Sequence, residues 1–382
     1  MKIGILSQPL YNNYGGLLQS FALLNILKDL GHDVWIINRD YPKISFISRL
    51  IYYTKYFISH YFLRRKQSYA IPLYLLTEQE KKVISKYTHQ FVDTYLIPRT
   101  SRIYTNAEMR KVLSYNFQSL IVGSDQVWRP AYSPNIYNYF LDFVANNKVK
   151  KISYATSFGV DYSEYSAKQI SIIKPLIKQF VGISVREESG IKLCNQLFDV
   201  NKVIQVLDPT LLYSGEYYNS IFSLKEYQCE NILCSYILDM NDDKKEDVEY
   251  LADQLNLKIK SNMPKETLTM ENRNQVYDCV FPSVESWMKD IYNSQFVITD
   301  SFHGTVFSIL FHKPFIVLIN PGRGISRIKS LLSMFNLDNR IVDTKQQINL
   351  ILNDSINWES VEWILVQQRK KSMQFLITNL DE

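Results

Sequence analysis

Within its first 37 residues the chain holds one complete β-turn-α-β unit, and that unit excludes most other architectures. Residues 2–7 (KIGILS) read as a buried strand. Residues 8–15 (QPLYNNYG) form a polar turn. From Gly16 to Leu30 the apolar residues Leu17, Leu18, Phe21, Leu24 and Leu27 recur at helical spacing, and Gly31 supplies a stop. Residues 34–37 (VWII) are the second strand. A strand that returns through a helix lies parallel to its successor, so the chain opens as a parallel α/β domain.

Residues 40–118 break the rhythm. They hold an aromatic and basic stretch at 44–66 and helical patterns around 77–95, and read as an insertion. The rhythm resumes with strands at 118–122, 151–155, 181–185 and 203–206, and helices at 163–180 and 188–198. A second set follows: strand 231–238, an acidic helix at 241–256, helix 284–293, strand 296–299, helix 303–312, strand 315–319 and helix 326–335. A final helix spans about 356–378. The expected fold class is α/β, two Rossmann-like domains facing across a cleft. The boundaries are 1–206 for the first domain and 207–382, final helix included, for the second. The hinge falls at 207–215, where Pro209 and Gly215 punctuate the chain.

Composition limits the function classes. The 382 residues carry 46 % apolar and 21 % charged side chains, as a globular chain does. The net charge of +5 is scattered, which argues against a nucleic-acid partner. Cys194, Cys229, Cys234 and Cys279 form no CxxC pair and lie near no histidine at zinc-ligand spacing. They read as reduced thiols, the beginning of the chain has no signal-peptide core, and no apolar run reaches the ~18 residues of a spanning helix. The expectation is a cytoplasmic protein without a metal. Only 12 residues are glycine, so each is worth placing.

Five segments can carry chemistry. In NNYGGLLQSFAL, Asn13, Tyr14, Gly15 and Gly16 join a strand to a helix N-terminus, whose free N–H groups attract anions. In LIVGSDQVWRP, Ser124 and Asp125 follow a strand end, where α/β ligands bind. In ISVREESG, Arg186 follows a strand, and its planar fork suits a carboxylate or phosphate. In VITDSFHGTVF, Asp300 and Ser301 end a strand, and His303, Gly304 and Thr305 start a helix. An imidazole there can donate to an anion or act as a general acid, with Asp300 fixing its tautomer. In NPGRGISRI, Arg323 and Arg327 suit an anion on a glycine loop. Each has a plainer alternative: a tight turn, a turn cap, an ion pair with Glu187 or Glu188, a packing histidine, a solvated loop.

Taken in order, the segments ILSQPLYNNYGGLLQSFALLNILKDLGHDV, LIVGSDQVW, KISYATSFG, ISVREESG, VLDPTLL and VITDSFHGTVFSILFHKPFIV resemble the polysaccharide pyruvyl transferase family. The resemblance implies a two-domain GT-B-type fold. It implies transfer of a pyruvyl group from phosphoenolpyruvate to a sugar of a cell-envelope glycan or its lipid-linked precursor, leaving a ketal and phosphate. Phosphoenolpyruvate is then a co-substrate and no other cofactor is required. The family's histidine falls on His303 and the arginine of its S-x-R segment on Arg186; the family's arginine two residues before the histidine is Ser301 here. Arg323 or Arg327 would replace it. The implied catalytic residues are His303, Arg186 and Asp125.

Two other readings stay open: a GT-B glycosyltransferase using a nucleotide sugar, and a non-catalytic glycan-binding relative. The stretch 44–66 also leaves two readings. It carries Arg49, Lys55, Arg64, Arg65 and Lys66 with no acid, and Phe46, Leu50, Tyr53, Phe57 and Tyr61 at near-helical spacing. Either its aromatic face packs on the first domain, or it lies peripherally on an anionic inner-membrane surface.

Overall fold

Eleven strands fall into two parallel sheets in the computed structural model, which describes residues 1–43, 46–57, 71, 75–145, 148–225 and 231–381. The first sheet holds β1 (Lys2–Leu6), β2 (Asp33–Ile36), β3 (Ser119–Val122), β4 (Lys150–Thr156), β5 (Gly182–Val185) and β6 (Ile204–Gln205) in the order β2-β1-β3-β4-β5-β6. The second holds β7 (Ile232–Tyr236), β8 (Lys258–Ser261), β9 (Phe296–Thr299), β10 (Phe315–Leu318) and β11 (Ile341–Val342) in the order β11-β10-β9-β7-β8. Every pairing between these strands is parallel. Two Rossmann-like domains result, each buried at every position of its central strands because helices cover both faces.

Strand order decides where a ligand can enter. In the first sheet the order reverses between β1 and β3, in the second between β7 and β9. A crevice opens beyond the carboxyl ends of the strands at such a reversal. The loops after β1 and β3 carry Asn13 and Asp125, the loop after β9 carries Ser301 and the helix that follows it starts with His303, and all four residues line a single cleft.

Two expectations are corrected. The sequence pattern passes over β8 and β11, because β8 is exposed at every position and β11 is a two-residue edge. The final helix, Trp358–Asp381, is not confined to the second domain: its start meets His312 there, through the Trp358 ring and through Glu362 at 2.9 Å. Its end reaches the first domain, where Lys150 Nζ donates to Leu380 O at 2.7 Å, and its middle meets the hinge, where the Leu207 amide donates to Ser372 Oγ at 2.9 Å. Arg369 donates to the carbonyls of Leu211 and Tyr213 at 2.7 and 2.8 Å, and Phe375 meets Tyr154.

The insertion between β2 and β3 contains helices Phe46–Phe57, Glu78–Ile84 and Lys86–Tyr95. Thr77 and Glu80 form a reciprocal capping box that starts the second of these. Ile71, Leu75, Leu76 and Ile84 pack with Leu268 and Cys279 of the second domain, with Tyr52 against them. Cys194, Cys234 and Cys279 are free and buried; Cys229 lies outside the described residues. Among the described residues no helix is long and apolar enough to cross a membrane.

Candidate active site

The helix Tyr14–Asp29 begins at the cleft. Asn13 caps it, accepting from the Gly16 amide at 3.1 Å, and its Nδ2 donates to Asp125 Oδ2 at 3.0 Å. Gly15 faces the other domain: a β-carbon there would lie 1.9 Å from His303 Nδ1. Only glycine lets the first helix approach the histidine so closely. Across the gap Ser301 caps the helix Phe302–Leu310, which places His303 in its first turn. The cleft between them encloses about 420 Å³ and is lined by Asn13, Gly15, Asp125, Asp300, Ser301, His303, Arg323 and Arg327, with Gln8, Tyr11, Tyr41 and Gln126 from the first domain.

Beneath the cleft lies a buried ionic cluster centred on Asp208. Its Oδ2 accepts from Arg186 Nη1 at 2.8 Å and lies 3.6 Å from His303 Nε2; its Oδ1 accepts from the Thr210 hydroxyl and amide at 2.7 and 3.1 Å. Burial opposes ionisation of this carboxylate, but the hydrogen bond and charge of His303 and the charge of Arg186 outweigh it. The carboxyl is held well below the usual range. Asp125 is lowered in the same way: burial raises it, and Arg186, His303 and Arg327 more than reverse that. Burial pushes Arg186 down, and Asp208, Asp125 and Glu187 bring it back above its ordinary value.

This arrangement revises three sequence expectations. Arg186 and His303, each read from the sequence as a partner for a ligand anion, come together from opposite domains on the Asp208 carboxylate. Arg186 is spent on Asp208 and, at 3.4 Å, Asp125, with its guanidinium 4.2 Å from the Phe302 ring. Two carboxylates pair with it, and its buried Nε, like that of Arg327, has no hydrogen-bond partner among the described residues. Asp300 does not set the His303 tautomer. Its oxygens accept from the Leu238 amide at 2.7 Å, from Lys244 Nζ at 2.7 Å and from Asn320 Nδ2 at 2.8 Å. The group on His303 Nε2 is instead the Gln19 amide at 2.7 Å.

The two loop arginines separate. Arg323 is bidentate to Asp239, at 2.6 and 2.8 Å. Arg327 gives one Nη2 hydrogen bond to the Arg323 carbonyl, and its buried Nε has no partner. Burial, and then the like charge of Arg186, push Arg327 down to about 10. A buried guanidinium with an unmatched N–H beside a cleft is suited to an anion.

Other expected ligands serve structure. Tyr14 donates to the Pro282 carbonyl at 2.8 Å and stacks on Trp287. Ser124 Oγ donates to the Ala155 carbonyl at 2.8 Å, and Gly16 is engaged by the Asn13 cap. Gly304 gives room to Thr299, and Thr305 Oγ1 donates to the Ser301 carbonyl at 3.0 Å. Sequence reasoning missed Asp208 and Gln19. Asp208 sat in the hinge motif LDPTLLYSG, and Gln19 was the polar exception on a helix face of leucines. Among the described residues no group of three His, Cys, Asp or Glu side chains could hold a metal ion.

Comparison with solved structures shows the fold shared. The UDP-GlcNAc 2-epimerase of Neisseria meningitidis, bound to UDP-GlcNAc, matches over 100 % of this chain and 99 % of its own, with a TM-score of 0.53 at 10 % identity. The Methanocaldococcus jannaschii UDP-GlcNAc 2-epimerase, in complex with UDP-GlcNAc and UDP, matches over 100 % and 99 %, with a TM-score of 0.53 at 13 % identity. Both place the chain among GT-B-type folds. No curated protein matches in sequence. The family model for polysaccharide pyruvyl transferase matches residues 13–321, which take in the Asn13 cap, the Asp125 loop, Arg186, Asp208 and the His303 helix. The chain belongs to the polysaccharide pyruvyl transferase family.

Proposed function

We propose that the cleft transfers a pyruvyl group from phosphoenolpyruvate to two hydroxyls of a glycan, or of its lipid-linked precursor, at the cytoplasmic face of the membrane. Enzyme C–O bonds are not required: two sugar oxygens bond to C2 of the donor, and the C2–O bond to phosphate breaks. One hydroxyl proton ends on C3, which becomes the methyl group, and the other leaves with phosphate. The observation that carries the reading is the buried Arg327 with a free Nε beside His303, in a cleft between two domains.

The donor presents a carboxylate and a phosphate. Arg327 meets one of these anions, and the His303 ring, held at Nε2 by the Gln19 amide, turns its Nδ1 edge toward Gly15 and the cleft and meets the other. His303 is then placed to protonate the departing phosphate. Asp125 stays ionised and orients an acceptor hydroxyl. Arg327, rather than Arg323, takes over from the missing arginine at Ser301, because Arg323 is committed to Asp239.

The fold likeness to proteins bound to UDP-GlcNAc favours a second reading, a nucleotide-sugar glycosyltransferase. Incubation of the protein with phosphoenolpyruvate, UDP-GlcNAc and an envelope-glycan acceptor separates the two. Release of inorganic phosphate with a pyruvate ketal on the glycan is expected. Release of UDP with no phosphate would overturn the proposal. Within the first outcome, Arg327→Ala raises the KM for phosphoenolpyruvate about 10- to 100-fold, as loss of one charge-assisted contact does, while Arg323→Ala changes it little.

A further inference from the structure

A second concavity borders the cleft and has no part in the chemistry above. It encloses about 580 Å³, within the range of about 300–1,000 Å³ that holds a small organic ligand. One wall comes from the insertion helices Glu78–Ile84 and Lys86–Tyr95, the other from the 263–282 segment of the second domain. Met263 and Phe281 line both this groove and the cleft, so the two spaces meet over those side chains.

The charges in the groove are unequal. Lys82, Lys86 and Lys265 line it and are exposed, and no carboxylate pairs with any of them among the described residues. The acids of the neighbouring helix turn are already occupied: Glu78 pairs with Lys81, and Glu80 with Arg273. Asp278 is the one carboxylate in the lining. Two tyrosines add flat apolar surface. Tyr277 is 77 % exposed and Tyr87 38 %, the latter under the Lys86 ammonium at 5.1 Å. Large exposed aromatic faces beside unpaired cations have no internal use in a folded chain, and their chemistry matches a sugar ring carrying acidic groups.

We propose that this groove is an acceptor subsite for an anionic stretch of glycan. The inference rests on the acceptor being a glycan. The chain whose reacting sugar sits near Asp125 runs over Met263 and Phe281. It lays its ring faces on Tyr277 and Tyr87 and its carboxylate or phosphate groups against Lys82, Lys86 and Lys265. An acceptor of this class binds far from the reacting atoms, so its affinity and the donor's are separable.

The test uses the full chain and two probes of equal length, tetragalacturonate and neutral maltotetraose, titrated calorimetrically at low ionic strength. Phosphoenolpyruvate binding is measured by thermal shift on the same samples. Tetragalacturonate is expected to bind more tightly than maltotetraose. Its affinity falls about tenfold in the triple variant Lys82→Gln, Lys86→Gln, Lys265→Gln, and severalfold in Tyr277→Ala. These side chains are exposed, and unchanged melting temperatures verify that the variants fold. Absence of tetragalacturonate binding, equal binding of the neutral probe, or full binding by the triple variant would each overturn the subsite. Loss of phosphoenolpyruvate binding alone, with the glycan titration intact, would count against the donor assignment and leave the groove standing.

Discussion

Asp208 is the residue on which the site turns, and its chemistry makes a measurable statement about acid stability. Its folded pKa lies below the ordinary carboxylate value of about 3.9. The ionised group therefore contributes stability that is fully present above that value and is lost as the pH falls through it toward the depressed one. Urea unfolding followed from pH 7 to pH 3 should show stability dropping on the acid side of pH 4, and Asp208→Asn should flatten that drop. At pH 7 the same variant leaves Arg186 buried with Asp125 alone, at 3.4 Å, which costs about 3 kcal/mol. Parallel acid limbs in the two proteins would contradict the account. At this scale the sequence foresaw which residues line the cleft better than which partners they meet. His303 and Asp125 were legible because they directly follow strand ends. The partners of Arg186 were not, because they lie 22 and 61 residues away along the chain.

The helix Phe46–Phe57 shows how an element can be foreseen and its neighbour missed. Near-helical spacing of aromatics left two readings, packing on the first domain or lying on a membrane surface; in the fold Tyr53 turns inward to accept a hydrogen bond from Arg273 Nη1 at 3.0 Å, and Tyr52 packs against the Leu75–Leu268 cluster, so these contacts reach the second domain. The outward stripe is aliphatic: Ile47, Leu50 and Ile51 are 68, 53 and 49 % exposed, at i, i+3 and i+4. Lys55 continues it, and the sequence from Tyr41 to Thr77 contains no acid. Arg64, Arg65, Lys66 and Tyr61, counted earlier in the basic stretch, lie outside the described residues, as does the side chain of Phe57. The proposed contact with the membrane surface therefore depends on aliphatic insertion with basic support. Co-sedimentation with anionic vesicles is expected at low salt and is weakened by high salt. Leu50→Asp with Ile51→Asp should reduce it several-fold, while Tyr53→Phe leaves it unchanged. If Leu50→Asp with Ile51→Asp binds vesicles as the unaltered chain does, this stripe is not the contact. The edge strands β8 and β11 escaped the sequence pattern for the opposite reason, since they bury too little to leave a period.

At the scale of the whole molecule the hinge is not the sole connection between the domains. One continuous set of buried side chains runs from Ile3 and Tyr14 of the first domain to Trp287 and Phe307 of the second, and on to Leu376 of the final helix. Tyr14 stacks on Trp287 with centroids 5.5 Å apart, and the final helix straps the hinge through Arg369 to Leu211 and Tyr213. The division into two α/β sets was legible because short apolar strand runs alternate with helical patterns on both sides of the Pro209–Gly215 punctuation. The return of the last helix was not, because an amphipathic helix pattern does not say which neighbour its apolar face will meet. Such a shared core makes unfolding cooperative. Calorimetry of the full chain should give a single transition, in spite of two separate sheets. Arg369→Ala removes the donor to two carbonyls, at a cost of about 1–3 kcal/mol, and should lower that one midpoint by a few degrees without splitting it. Two transitions, of which the substitution moves only the first, would mean that the domains fold independently and that the strap stabilises its own domain alone.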